Sequence, residues 1–565
     1  MTDDRPRFER LSPLDVGNLR VEDRGVPMHV AALAVLDGAP LRDAAGRLRL
    51  AAIREHVARR TRRAPRLRQR LHRPPPGAGP PVWVDDPHFD ISGHVRTRAL
   101  PAPGDEATLL RTCAELDEPR LDRSRPLWEM WLLTDRDDGT IALLLRLHHV
   151  VADGIAALEL FGALLDTAAT TPDEDPGPVP TPVPPPSVRA LVRDNLHRRP
   201  GAAWRWLRAV RPAVVARRAA LRVRQLRSLA RQGRAPRVSF DGPVGPHRRL
   251  SLVRCDLAEV RRVAHAHGAT VNDVVLAAVA AGARRLLAAR GELDPDLILK
   301  ASVAASLRTA DDRSPGNRVG ILLVPLPVGP GSVAARVAAV ARETARLKRE
   351  PPLQPGGRLL QRWTVRVMRR QRLVNLFVSN LVGPPVPLYF AGARVRELFQ
   401  VGVVQGNVGV AVGVLSYAGR LNVDVVADAD LAPDVDEFAG GSSTASRSWA
   451  SRRSAARRVA DPALQARSRR PCAPANCMRG VLRISRTRFP LPRAAAGSAL
   501  ELRDPARLVG SVHGTGTVCT RSEMELQHGL WNVGRLLRSN RRPLRRVRLL
   551  LRFRRGYEPQ LIRGK

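Results

Sequence analysis

Two adjacent histidines, His148 and His149, stand where an apolar run gives way to a turn and then to helical spacing. Ile141 to Leu147 is apolar but for Arg146, long enough for a buried strand. Asp153 and Gly154 mark a turn, and Ile155 to Leu165 places apolar residues at helical intervals. Neighbouring side chains on a strand point to opposite faces. Only one of the two imidazoles can therefore face a given cleft, and the pair must divide its work. A neutral imidazole takes up a proton near physiological pH, which suits acyl transfer to a hydroxyl. An alcohol that loses its proton to the histidine attacks a thioester directly, with no serine or cysteine nucleophile between. Asp153 can hold the loop through a hydrogen bond or an arginine pair, and Gly154 lets the backbone turn sharply or a ligand approach closely.

Around this unit, helical and strand-like segments alternate, which predicts an α/β domain over residues 1–170. A short helix is expected at Pro13–Asn18 and a strand at Met28–Leu36. Helices are expected at Leu50–Arg62 and Ala107–Glu115, and Pro126–Trp131 leads into a further strand. Trp128 and Trp131 read as core. Residues 171–245 form a proline-rich linker followed by basic amphipathic helices. The stretch 188–237 holds 15 Arg and one Asp among Leu, Val, Ala and two tryptophans, with helix breaks expected at Pro200 and Pro212. Such a segment either covers the domain junction or lies on anionic lipid, arginines at the headgroups. A second domain is expected over 246–440. It has a helix at Asn272–Leu287, strands at Leu297–Leu307 and Val319–Val328, and a helix at Val333–Arg349. A strand leads into the loop 379–387, and a hairpin joins Gly409–Leu415 to Arg420–Ala427.

Charge needs dividing before it is interpreted. The chain of 565 residues carries a formal +41, yet residues 441–565 alone hold 28 Lys+Arg against 6 Asp+Glu. That Arg-rich, low-complexity stretch has no sustained apolar period; it reads as a disordered tail or as coding sequence out of frame, and nothing functional is drawn from it. No apolar run approaches the roughly 20 residues of a membrane span, and the N-terminus has no apolar signal region. A cytoplasmic location is expected, peripheral at the inner membrane face or at lipid inclusions. The five cysteines suggest neither a disulfide framework nor a zinc spacing. No ligand cluster accompanies the histidines, so no metal is expected. A basic nucleic-acid-binding protein is disfavoured because no recognition motif accompanies the charge.

Five motifs occur in one order: PLW at 126–128, HHVVADG at 148–154, TVNDVVLA at 270–277, SNLVGP at 379–384 and GVLSYAGRLNVDVVAD at 413–428. With them the chain resembles the bacterial wax ester synthase/acyl-CoA:diacylglycerol acyltransferases over residues 1–440. These belong to the CoA-dependent acyltransferase superfamily, which also holds chloramphenicol acetyltransferase and condensation domains. The resemblance implies two chloramphenicol acetyltransferase-like α/β domains with a tunnel at their interface. It implies transfer of a long acyl chain from acyl-CoA to diacylglycerol, or to a fatty alcohol, without an acyl-enzyme and with no cofactor beyond the acyl-CoA co-substrate. It implies His149 as general base, His148 in support, Asp153 structural and paired with an arginine, and Gly154 at the turn. It also brings Asn272, Ser379, Asn380 and Gly383 to the substrates. Bottom-up, Asn272–Asp273 reads equally as a plain helix N-terminus, and SNLVGP as a plain turn. SNLVGP departs from the family's usual loop, Gln405 and Asn407 interrupt the segment before the last hairpin, and the final helix is lost after 440. The alternatives kept open are a superfamily acyltransferase for another alcohol or an amine, and an inactive product with a damaged C-terminus.

Overall fold

The period-two apolar segments become strands of two six-stranded sheets, and the helices pack on them. A computed structural model describes residues 8–306, 319–349 and 370–442, apart from Arg24, Asp153, residues 171–180 and scattered positions between 210 and 232. The expected tail from 443 onward lies outside the described residues. In the first half the chain forms β1 (Glu9–Arg10), α1 (Pro13–Asp23), β2 (His29–Leu36), α2 (Leu50–Thr61), β3 (Gln69–His72), β4 (Val82–Asp85), β5 (Val95–Ala99), α3 (Glu106–Asp117), β6 (Trp128–Thr134), β7 (Ile141–His148), α4 (Gly154–Ala163) and α5 (Val188–Ala209). In the second half it forms β8 (Arg248–Asp256), α6 (Leu257–Ala266), α7 (Val271–Ala289), β9 (Ile298–Ser306), β10 (Val319–Pro327), α8 (Val333–Lys348), β11 (Leu376–Val382), β12 (Tyr389–Phe390), β13 (Ala393–Val401), β14 (Val410–Tyr417) and β15 (Arg420–Asp428).

The first sheet runs β12-β13-β2-β7-β6-β5, the second β10-β9-β11-β14-β15-β8, and β1, β4 and β3 make a small third sheet. Residue β-pairing shows an exchange that local patterning does not carry. β13, from the second half of the chain, lies antiparallel against β2, with Gln400 opposite Ala32 and Val401 opposite Ala31. All eight residues of β7 are buried. Leu143, Leu145 and Leu147 pack on one face against Ile53 and Val57 of α2 and Phe161 of α4. Ala142 and Leu144 pack on the other against Leu109 and Cys113 of α3, together with Leu250, Ala411 and Val426 of the second sheet. Trp128 is buried, its indole N–H donating to Leu67 O at 2.7 Å.

Most expected elements appear within a few residues of their predicted ends. Two differ. α1 continues past Asn18 to Asp23. α5 runs through Pro200, where a break was expected: a proline inside a helix removes one hydrogen bond and bends the axis, but packing and neighbouring turns can carry the helix on. Pro212 lies outside the described residues. No helix among the described residues is long and apolar enough to cross a membrane.

One buried carboxyl sits where the two sheets meet. Asp424 on β15 is fully buried; its Oδ2 accepts from Gly402 N–H at 3.3 Å and its Oδ1 has no hydrogen-bond partner among the described residues. Gly413 lies opposite it on β14, and a Cβ there would overlap Asp424 Oδ1 and Gln400 Cγ. Burial pushes the Asp424 pKa up to about 8, so the folded protein holds a proton that the unfolded chain releases. Stability from this group is complete below the ordinary carboxylate range and is lost as pH rises through about 8. The melting temperature is therefore expected to fall between pH 6 and roughly pH 9, at about 2–4 °C per kcal/mol lost. Asp424→Asn is expected to flatten that fall and to melt higher than the wild type at the alkaline end, as thermal scans at both pH values would record.

Candidate active site

β7 and β2 align His148 opposite His29, and the strand ends there, so the two histidines of the motif leave the sheet in different directions. His148 is wholly buried. Val150 N–H donates to its Nδ1 at 3.0 Å, which places the ring proton on Nε2. That nitrogen lies 3.1 Å from Glu22 Oε2, at an angle short of a hydrogen bond. Burial holds the His148 pKa below its ordinary value, outweighing the opposite pull of Glu22.

Glu22, near the end of α1, is only 1% exposed. Arg123 donates to its Oε2 from Nε at 3.2 Å and also from Nη2, while Arg123 Nη1 donates to Asp23 at 2.6 Å. Burial alone would raise the Glu22 pKa; His148 and Arg123 together overcome it and bring the value down to about 2. His29 completes the group, edge-on to His148 with ring centres 6.3 Å apart and its Nε2 3.8 Å from Glu22 Oε1.

His149 is placed differently. Its backbone N–H donates to Met28 O at 2.8 Å, and its half-buried ring lines a cavity of about 380 Å³. Its Nδ1 is buried with no hydrogen-bond partner among the described residues, whereas Nε2 is not sealed in this way. Burial raises the pKa of Asp15 of α1 against the hydrogen bond that Ser12 Oγ donates at 2.6 Å.

Both sheets wall the cavity. β2, β7 and β13 supply Val30–Ala32, Leu145, Leu147 and Leu398–Val401; β9, β10, β11 and β14 supply Ser302, Ile321, Phe377, Ala411 and Val412. α1 adds Leu14 and Asn18, and α4 adds Ala157, Leu158 and Phe161. The lining is overwhelmingly apolar, with a few polar side chains, among them His149, Asn18 and Gln400, set into it. Among the described residues no three His, Cys, Asp or Glu side chains gather as a metal site.

The residues singled out in the sequence fall into three groups. His149 and Ser379 line the cavity. Asn380 Nδ2 donates to Asn272 Oδ1 at 3.2 Å, so β11 and the start of α7 are tied together, though neither residue is among those lining the cavity. Asp273 belongs to the helix start: with Thr270 it forms a capping box, and Thr344 Oγ1 donates to it at 2.6 Å. Gly383 N–H donates to Ser416 O at 3.0 Å, and a Cβ at Gly383 would overlap that oxygen. Gly154 opens α4; Asp153, and with it the expected pairing with an arginine, lies outside the described residues. Three residues at the site had no motif to mark them: Glu22, Asn18 and Gln400. The signal for the first two was available as polar residues at 15, 18 and 22, a spacing that keeps one helical face.

Comparison with known proteins agrees with this arrangement. A model of the wax ester synthase/diacylglycerol acyltransferase catalytic domain matches residues 11–275, and one of the WS/DGAT C-terminal domain matches 315–445. The chain is 34% identical over 450 residues to a Mycobacterium tuberculosis protein named probable diacylglycerol O-acyltransferase tgs1, covering 77% of this chain and 94% of that one. It resembles the solved wax ester synthase/diacylglycerol acyltransferase of Marinobacter aquaeolei VT8 with a TM-score of 0.57 at 22% identity, over 78% of this chain and 98% of the other. A starter condensation domain of rhizomide synthetase, in complex with C8-CoA and Leu-SNAC, gives a TM-score of 0.51 at 17% identity, over 78% and 93% of the two chains. At such identities the two structures speak to the fold, which is the expected α/β class.

Removing the Glu22 carboxylate leaves Arg123 and His148 without it in a buried place. Glu22→Ala is expected to destabilise the protein by about 3 kcal/mol at neutral pH, read from urea unfolding. Because the folded pKa of Glu22 is depressed, its contribution is present above the ordinary value of 4.5 and is lost as pH falls through about 2. The gap between wild type and variant should therefore narrow across that acid range.

Proposed function

The chain belongs to the wax ester synthase/diacylglycerol acyltransferase family, and from that premise we propose that it moves a long acyl chain from acyl-CoA to the free hydroxyl of diacylglycerol. The observation that carries this reading is His149 at the wall of an apolar cavity shared by both sheets, with His148 held behind it by Val150 N–H.

In the proposed reaction both substrates are bound together, the acyl thioester and the alcohol reaching His149 through a passage open at two ends. His149 accepts the hydroxyl proton on Nε2 as the alcohol oxygen bonds to the thioester carbonyl carbon. The carbon–sulfur bond then breaks, and the departing thiolate takes the proton back from His149. One ester forms, one thioester is lost, and no bond to the protein is made. Backbone N–H groups are candidates to stabilise the developing oxyanion, and Asn272, bonded to Asn380 outside the cavity lining, acts by tying α7 to β11. His148 and Glu22 act as positioning residues: they anchor the strand end from which His149 projects.

Diacylglycerol is an acceptor that partitions into membranes, and the basic segment at 188–237 supplies the charge for a peripheral association with anionic lipid. A fatty alcohol, giving a wax ester, is the second reading, favoured by the same apolar lining. His149→Ala is expected to reduce transfer of labelled acyl groups from acyl-CoA to diacylglycerol by about 10²–10⁴-fold with an unchanged melting temperature. Near-normal turnover in that variant would remove the mechanism.

A further inference from the structure

The helix α1 lies along the histidine pair, and its polar residues are not equivalent. Asp15, Asn18 and Glu22 follow one another at three- and four-residue intervals, so they share a face. The two outer members are engaged. Asp15 is bonded to Ser12; Glu22 faces His148 and is bonded to Arg123. The middle member, Asn18, lies between them, half-buried, and lines the cavity together with Leu14 one turn before it. Its side-chain amide has no hydrogen-bond partner among the described residues.

An asparagine is a poor choice there on structural grounds alone. It is a weaker helix former than leucine or methionine, and its amide makes no bond among the described residues that would offset this. The same cavity is lined by Leu14, Met28, Leu147 and Phe161. Two further amides line the cavity, Gln400 and Gln405; Gln400 has its donors engaged, Nε2 giving hydrogen bonds to Ser379 O at 2.8 Å and Val414 O at 3.3 Å, and Gln405 lies past the end of β13, on a different element from α1. Asn18 thus offers uncommitted N–H groups beside the base.

We propose that Asn18 donates a hydrogen bond to an ester carbonyl of the acceptor and so selects glycerides over straight-chain alcohols. This rests on the acyl-transfer reading of His149 given above and adds the acceptor's recognition to it. A fatty alcohol has one polar group, the hydroxyl, and His149 takes it; the rest of the molecule leaves Asn18 desolvated and unpaired. Diacylglycerol carries two ester carbonyls within a few bonds of its hydroxyl. With the hydroxyl on His149, Asn18 is a donor on the wall of the same cavity for one of those carbonyls. A site built to bond a substrate group discriminates strongly against an analogue that lacks it, because the buried partner is left unmet.

The test uses the full-length protein with palmitoyl-CoA and three acceptors in the same mixed micelles. They are 1,2-dipalmitoylglycerol, hexadecanol, and 1,2-dihexadecylglycerol, which keeps the shape and hydroxyl of the glyceride but has ether links, with methylenes where the carbonyls were. For the wild type, kcat/KM is expected to be about tenfold lower for the ether than for the ester. Asn18→Leu is expected to lose about that factor on the ester, to treat ester and ether alike, and to keep or raise its rate on hexadecanol; Asn18→Gln is expected to recover part of the preference. An ester-to-ether ratio in Asn18→Leu equal to that of the wild type would overturn the assignment, as would an equal fall on all three acceptors. A wild type that acylates hexadecanol but neither glycerol lipid would overturn it too while leaving acyl transfer by His149 in place. A wild type that acylates none of the three would fail the underlying reading instead, and this assignment with it.

Discussion

The buried carboxylate of Glu22 is the interaction on which the site depends. It brings together residues from three distant parts of the chain: α1, the segment after α3 that holds Arg123, and the end of β7. A carboxylate so enclosed is tolerable only because a guanidinium bonds it and an imidazole faces it. The arrangement fixes direction as well as charge. With His148 held by Val150 N–H on one side and facing Glu22 on the other, its ring has one orientation and one tautomer. The next residue, His149, must then leave the strand end toward the cavity. Two identical side chains thus acquire opposite environments through one carboxylate.

The cavity is the seam between the two sheets, and the seam is bonded across by polar groups set among apolar ones. Gln400 on β13 reaches from the first sheet to backbone oxygens of β11 and β14 in the second. Asp424 on β15 receives the backbone N–H of Gly402, just past the end of β13. Gly413 makes room for both. Residues so placed keep the walls in register while leaving the space between them to Leu, Val, Phe and Ala side chains. A lipid chain needs such a space, apolar and continuous, with polar groups confined to where the chemistry occurs.

Much of this was legible in the residues. The strand, the histidine pair and the following helix are specified by patterns that are local, and they stand where the spacing puts them. The closing hairpin is similarly local: β14 and β15 are joined through Ala418 and Gly419 as the alternation of apolar residues implies. Asn272 and Asn380, marked in the sequence more than a hundred residues apart, meet in a hydrogen bond. What was not legible depends on partners far along the chain. α1 seemed to end at Asn18 because Gly17 and the charged residues after it weaken the helical pattern, so Glu22 fell outside the element that positions it. Neither Arg123 nor His148 announces a carboxylate from α1. β13 has the alternation of any half-buried strand, and nothing in its own residues says which sheet it joins; the choice is made by the edge of β2. The helix through Pro200 likewise defies its local signal.

The membership of β13 in the first sheet has a bearing on how such a chain is made. β2 emerges from the ribosome with β7 following about a hundred residues later, but its other neighbour is about 360 residues downstream. At bacterial and eukaryotic synthesis rates that is an interval of roughly 20–70 s. Throughout it, the N–H and C=O groups along one side of Val30–Leu36 stand open, next to an apolar surface made for a lipid. Nascent chains of this design are natural clients for chaperones, and a ribosome that stalls before Ala393 releases a half-built sheet with an adhesive flank.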